Sequence, residues 1–152
     1  PGKSLKFCRI CKRNAMGDLA LRQDWEEMHT KISTEQEFKE ACSYKGLTCM
    51  EVHAGWCGPC TPVINVMKKL HWELVKEKGA QLKFVVANSD KIDSLKPHME
   101  RSKPLFFMYR NGRKVHSFDG VNPPALKSFI EEHTPSKADV VEAELMAASG
   151  AG

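Results

Sequence analysis

Ala54-Gly55-Trp56-Cys57-Gly58-Pro59-Cys60 is the stretch on which the reading of this sequence turns. Before it stands a short apolar run at 47–52, introduced by Lys45-Gly46. After it, from 60 to 78, Val63, Val66, Met67, Leu70 and Leu74 recur at helical spacing, with Lys68, Lys69, Glu73 and Glu77 falling on the other side. The first pattern is that of a buried strand and the second that of a long amphipathic helix. Amides left unpaired at a helix start, together with the helix dipole, favour an anion, so Cys57 ionises more readily there than an ordinary thiol of pKa ~8.5. One turn brings Cys60 close enough to displace whatever Cys57 has captured. Gly58 admits a substrate backbone, Pro59 stiffens the loop where a missing N–H is harmless, and Trp56 shields one flank.

Working outward, Phe84-Val85-Val86 marks a second buried strand at 82–87, and the helix before it makes a parallel βαβ unit. A helix is expected near 93–100. Pro104 then opens an apolar strand, Leu105-Phe106-Phe107-Met108-Tyr109, and Asn111-Gly112 ahead of Lys114-Val115-His116-Ser117-Phe118 predicts a tight antiparallel hairpin. Gly120 ends that strand. Asn122-Pro123 sets the cap and first position of a last helix that buries Leu126, Phe129 and Ile130. On the other side, 28–32 reads as a strand, and Ser33 with Gln36 or Thr34 with Glu37 forms a capping box for a helix that turns Phe38 and Ala41 inward. The order β-α-β-α-β-α-β-β-α from residue 28 predicts an α/β fold with a central mixed sheet. The domain is assigned to 28–134, with a basic extension at 1–27 holding a short helix at 18–27, and a tail at 135–152 with an exposed helix at 138–148.

A chain of 152 residues, 41% hydrophobic and 28% charged, suits one globular domain with appendages. No apolar run approaches the ~20 residues that cross a bilayer, so no membrane association is expected. A net charge of +4, from 23 basic and 19 acidic residues, is too mild to call for nucleic acid. Pro1-Gly2-Lys3-Ser4-Leu5-Lys6 lacks the apolar core of a secretory signal, which points to a reducing, cytoplasmic setting. Charge is uneven: Lys3, Lys6, Arg9, Lys12 and Arg13 come with no acid in the first thirteen residues, whereas 138–152 holds acids and no base. Such a basic arm is either solvated or docked on an acidic partner. Of the six cysteines, Cys42 and Cys49 sit among apolar residues and read as core. Cys8 and Cys11 repeat the C-x-x-C spacing and are either ordinary thiols on the arm or a second redox pair. Zinc needs four ligands, and the Trp-Cys-Gly-Pro-Cys context favours disulfide exchange, so no metal site is expected.

The segment 54–60, in its strand-to-helix position, resembles the active-site segment of thioredoxins, and the resemblance extends over about 28–134. It implies the thioredoxin fold and a protein-disulfide oxidoreductase in which Cys57 attacks protein disulfides, Cys60 resolves, and the Cys57–Cys60 disulfide serves in place of a dissolved cofactor. Electrons then come from thioredoxin reductase or another dithiol. Glu51 stands where the family has a buried aspartate, and the resemblance gives it a proton relay to Cys60 through water, its pKa raised by burial. Lys103-Pro104 resembles the family's cis-proline step that holds substrate backbone, and Gly120 its glycine beside the substrate groove. His53 replaces a bulky aromatic, and Ala87 is placed where the family has a lysine near the acid. The run 86–92 through Pro97, with Lys103-Pro104-Leu105-Phe106 and Asn111-Gly112-Arg113-Lys114, is similar to thioredoxin modules of cilia and flagella. These include thioredoxin-like light chains of outer-arm dynein and thioredoxin domains fused to nucleoside diphosphate kinase. With no room for a kinase domain, the light chain is the better match. It implies dynein heavy chain or other axonemal dynein subunits as partners, and a place in the cytoplasm and the axonemal cytoskeleton of the cilium or flagellum. The alternatives are a structural assembly subunit of dynein without redox turnover, and a general cytosolic thioredoxin.

Overall fold

The computed structural model describes residues 25–58 and 60–150. The basic arm with Cys8 and Cys11, most of the helix expected at 18–27, and Pro59 lie outside them.

Strand β1 (His29–Ile32) follows a helical turn at 25–28, and helix α1 (Glu35–Cys42) follows β1. Of the two capping boxes the sequence offers, Thr34 and Glu37 form the one observed: the Thr34 hydroxyl accepts from the Glu37 amide and the Glu37 carboxylate accepts from the Thr34 amide. Each such cap contributes about 1 kcal/mol by satisfying amides stranded in the first turn. Strand β2 (Leu47–His53) is buried from Leu47 to Val52, as a central strand with both faces covered must be.

The expected continuous helix at 60–78 is instead helical in three modes: a 3₁₀ turn Thr61–Val63, helix α2 Ile64–Leu70, and a π-wound stretch His71–Glu77. Of the stripe read from spacing, Val63, Met67, Leu70 and Leu74 are buried and Val66 is half-buried against the same layer. Strand β3 (Leu82–Asn88) leads to a 3₁₀ segment, Asp93–His98, where a helix was expected. Pro97 lies inside it, and without an N–H it cannot extend an α-helical ladder. Strands β4 (Leu105–Arg110) and β5 (Arg113–Asp119) form the hairpin. Asn111 and Gly112 take φ of 51° and 77°, the left-handed pair that matches the twist of two-residue hairpins. Asn122 caps α3 (Pro123–His133) by accepting from the Ala125 amide, and α4 (Lys137–Ser149) buries no residue.

The strands lie in the order β1-β3-β2-β4-β5. β1 and β2 flank β3 in parallel, while β4 runs antiparallel to both β2 and β5. One side of the sheet packs Leu47, Cys49, Phe84, Phe106 and Met108 against the helical segment 61–77 and α3. The other packs Met50, Val52, Val85, Ala87 and Phe107 against α1 and the 3₁₀ segment through Cys42, Leu95 and half-buried Phe38. Each large side chain fully buried in these layers stabilises the fold by about 1.5–3 kcal/mol. No helix among the described residues is long and apolar enough to cross a membrane.

Candidate active site

At the carboxyl end of β2 the chain leaves the sheet and turns sharply. The amides of Cys57 and Gly58 both donate to the carbonyl of Ala54, at 3.0 and 3.1 Å, and Gly58 has φ +74°. Cys57 is half-buried and Cys60 is buried, 3% exposed. Cys60 is the cap residue of the 3₁₀ turn rather than its first member, so the dithiol precedes the first helical residue, Thr61. The helix thus begins one residue later than the expected 60, and Cys57, Gly58 and Cys60 lie outside it rather than in the single helical turn expected to join the two cysteines.

Three neighbours fix the approach to Cys57. Its Sγ lies 4.0 Å from the carbonyl oxygen of Ser102. Trp56, 41% exposed, donates its indole N–H to the carbonyl of Met99 at 3.2 Å, tying the dithiol loop to the segment before β4. Pro104 is buried and Lys103 exposed, and the amide of Gly120 donates to the Pro104 carbonyl at 2.9 Å. Lys103, Pro104 and Gly120 thus come together beside the loop that carries Cys57. The peptide bond before Pro104 is not the expected cis isomer: no cis peptide bond occurs among the described residues. Trans is the intrinsically favoured form by about 0.5–1 kcal/mol.

Glu51 lies beneath the dithiol, 4% exposed, and its Oε1 accepts the backbone N–H of Cys60. Burial pushes its carboxyl from an ordinary 4.5 up to about 7, against the opposing pull of that amide. A carboxylate poised near neutrality and hydrogen-bonded at Cys60 can take a proton from that neighbourhood and return it. The residue across from Glu51 is Val86, while Ala87 pairs with Val52 and belongs to the opposite layer. The placement of Ala87 beside the acid is therefore corrected to Val86, one residue earlier. In a strand, a one-residue offset reverses the face.

His53, at the end of β2, hydrogen-bonds through Nδ1 to the Ala54 carbonyl at 3.1 Å, and burial lowers its pKa. Sequence reasoning missed Asp90, whose Oδ2 accepts the Gly55 amide at 3.1 Å. The approach is so close that a Cβ on Gly55 would lie 2.3 Å from that oxygen. Met99 and Ser102 were also missed. They act through backbone carbonyls, which leave no signature in side-chain identity. Cys42 and Cys49 are free, buried cysteines. Burial raises both thiols, Cys42 to about 11, so neither competes with the dithiol as a nucleophile near neutral pH. No three metal-ligating side chains cluster among the described residues.

The fold and this junction define a class. The thioredoxin family model matches residues 29–132, and the chain belongs to the thioredoxin family. Among its relatives, the flagellar outer-arm dynein 16 kDa light chain of Chlamydomonas reinhardtii is 33% identical over 116 residues, 74% of this chain and 73% of that one. The 14 kDa light chain of the same flagellar outer arm is 34% identical over 105 residues, 68% of this chain and 79% of that one. Human thioredoxin domain-containing protein 6 is 32% identical over 114 residues, which are 75% of this chain and only 34% of that protein. The chain thus spans about a third of that larger relative. Among solved structures, the thioredoxin of Malassezia sympodialis superposes with a TM-score of 0.55 at 23% identity, covering 69% of this chain and 90% of the other. That likeness is one of fold.

Proposed function

We propose that this protein is a thioredoxin-like light chain of ciliary or flagellar outer-arm dynein that exchanges disulfides with thiols of the motor complex. The observation that carries the reading is the 33% identity to a flagellar outer-arm dynein light chain across almost three-quarters of both chains, joined to a C-x-x-C pair whose Cys60 amide is held by the buried Glu51 carboxylate. In the reaction, the Cys57 thiolate attacks one sulfur of a target disulfide, forming a mixed disulfide and expelling the other target sulfur as a thiolate. Cys60 then gives up its proton, with Glu51 as acceptor through water, and attacks the Cys57 sulfur. The Cys57–Cys60 disulfide forms and the second target thiol leaves, so the target gains two electrons and the dithiol loses them. Thioredoxin reductase or another dithiol restores the pair. Trp56, Gly58, Lys103, Pro104 and Gly120 form the rim on which the target backbone lies.

Cys60→Ser, which arrests the reaction at the mixed disulfide, provides the test in isolated axonemes. The expected result is a reductant-sensitive adduct between this chain and an outer-arm dynein subunit, absent when Cys57 is also replaced by Ser. Dynein association that is identical in both variants, with no adduct and no reduction of insulin by the wild type, would instead identify a structural assembly subunit.

A further inference from the structure

Away from the dithiol rim, a cleft of about 370 Å³ opens over the carboxyl ends of the three parallel strands. That volume is within the range of small-molecule sites. Its place follows from the topology. After β2 the chain crosses to the side of the sheet covered by the helical segment 61–77, and after β3 to the side covered by the 3₁₀ segment. Adjacent strands whose connections leave to opposite sides create a crevice at their carboxyl ends, where open α/β sheets bind ligands.

The lining has a definite chemistry. Lys31 and Lys91 supply two positive charges, and none of the lining residues is a carboxylate. Lys31 is held by Glu26, but both side chains are more than half exposed, and an exposed ion pair is worth only about 0–1 kcal/mol, so a dianion can replace it. Asn88 accepts the Asp90 amide on its Oδ1 at 2.9 Å, which leaves its NH₂ as the donating end. His53 must carry its proton on Nδ1, because the Ala54 carbonyl there only accepts. Its Nε2 is then an acceptor that repels an oxyanion and suits a hydroxyl. Ser33 adds a hydroxyl, and buried Ile32 and Val86, from opposite faces of the sheet, add apolar lining. Two cations beside an acceptor and hydroxyl-matching groups call for an anion attached to a hydroxylated body.

We propose that this cleft binds a small phosphate monoester, with Lys31 and Lys91 meeting the phosphate and Ser33, His53 and Asn88 holding the hydroxylated part. The site is separate from the rim of the dithiol but joined to its loop. Ser89 donates its amide to the His53 carbonyl at 2.9 Å, and Asp90, whose amide Asn88 holds, in turn holds Gly55. Binding itself needs no redox turnover.

The test is an amide-resolved NMR titration of the full reduced chain with ribose 5-phosphate, inorganic phosphate and ribose. Ribose 5-phosphate is expected to produce saturable shifts at 31–33, 53 and 86–91, with inorganic phosphate and ribose each weaker by about tenfold or more. The Lys31→Ala/Lys91→Ala double variant removes two exposed side chains and leaves both core layers intact. It is expected to weaken ribose 5-phosphate binding by about tenfold or more. Absence of saturable shifts up to about 10 mM, equal affinity for inorganic phosphate, or undiminished binding by the double variant would overturn the proposal. The same titration on Cys57→Ser keeps the result independent of disulfide exchange.

Discussion

Replacing Glu51 by Gln should make this protein more stable at alkaline pH and leave the margin small in acid. Glu51 is buried with its carboxyl pushed from 4.5 to about 7, so the folded state holds the proton over a range in which the unfolded chain has lost it. A carboxyl raised by folding contributes stability that is complete below pH 4.5 and is lost as pH rises to about 7, after which the loss is constant. The shift of about 2.5 units, at 1.36 kcal/mol each, amounts to about 3 kcal/mol. Gln keeps an oxygen to accept the Cys60 amide and carries no charge at any of these pH values, so its stability lacks this decline. Histidine titrations occur equally in both proteins and cancel in the difference. Urea denaturation of the two reduced proteins between pH 4 and pH 8.5 measures it directly. With m near 2 kcal/mol per molar, the midpoint of Glu51→Gln should gain about 1.5 M over the wild type as pH rises through that range. A midpoint difference that does not change with pH would refute the burial argument.

Other consequences can be measured with the same denaturation assay. Gly55→Ala places a Cβ 2.3 Å from the Asp90 carboxylate and should cost about 1–3 kcal/mol, and Asp90→Ala in the same chain should recover most of it; no recovery would mean that the clash lies elsewhere. Phe106 is fully buried beneath the helical layer, so Phe106→Ala should lose about 3–5 kcal/mol, and a loss under 1 kcal/mol would show that the layer collapses around the void. Burial lowers the pKa of His29, His53 and His71. A lowered histidine contributes stability that is present above the unfolded value of about 6.5 and lost as pH falls below it. Acid unfolding of the Glu51→Gln protein should therefore begin below about pH 6.5, visible as a falling urea midpoint, and a flat profile down to pH 5 would contradict it.

The parts of this fold that the sequence made legible are those governed by local chemistry. Asn111-Gly112 specifies its turn, Asn122-Pro123 and Thr34 with Glu37 specify their helix starts, and the apolar runs at β2, β3 and β4 specify buried strands. The dithiol was legible for the same reason, since two cysteines at a strand-to-helix junction need no distant residue to define them. What escaped depends on alignment between strands or on contacts far along the chain. Val86 rather than Ala87 faces Glu51 because of a register that nothing within β3 determines. Asp90 reaches Gly55 across thirty-five positions, and the carbonyls of Met99 and Ser102 are the same in any residue. The π winding at His71–Glu77 preserves the buried stripe that predicted a helix, so the apolar spacing cannot distinguish it. The trans bond before Pro104 was misread because the expectation came from family resemblance, whereas the dipeptide itself is compatible with either isomer.

The loop at the carboxyl end of β2 is expected to make Cys57 an acidic, attacking thiol. The most direct measurement is the pH dependence of iodoacetamide alkylation at Cys57, followed residue by residue by mass spectrometry in the reduced protein. Cys57 should alkylate ahead of Cys42, Cys49 and Cys60, with a midpoint at least about one unit below the 8.5 of an ordinary thiol. A midpoint at or above 8.5 would contradict it.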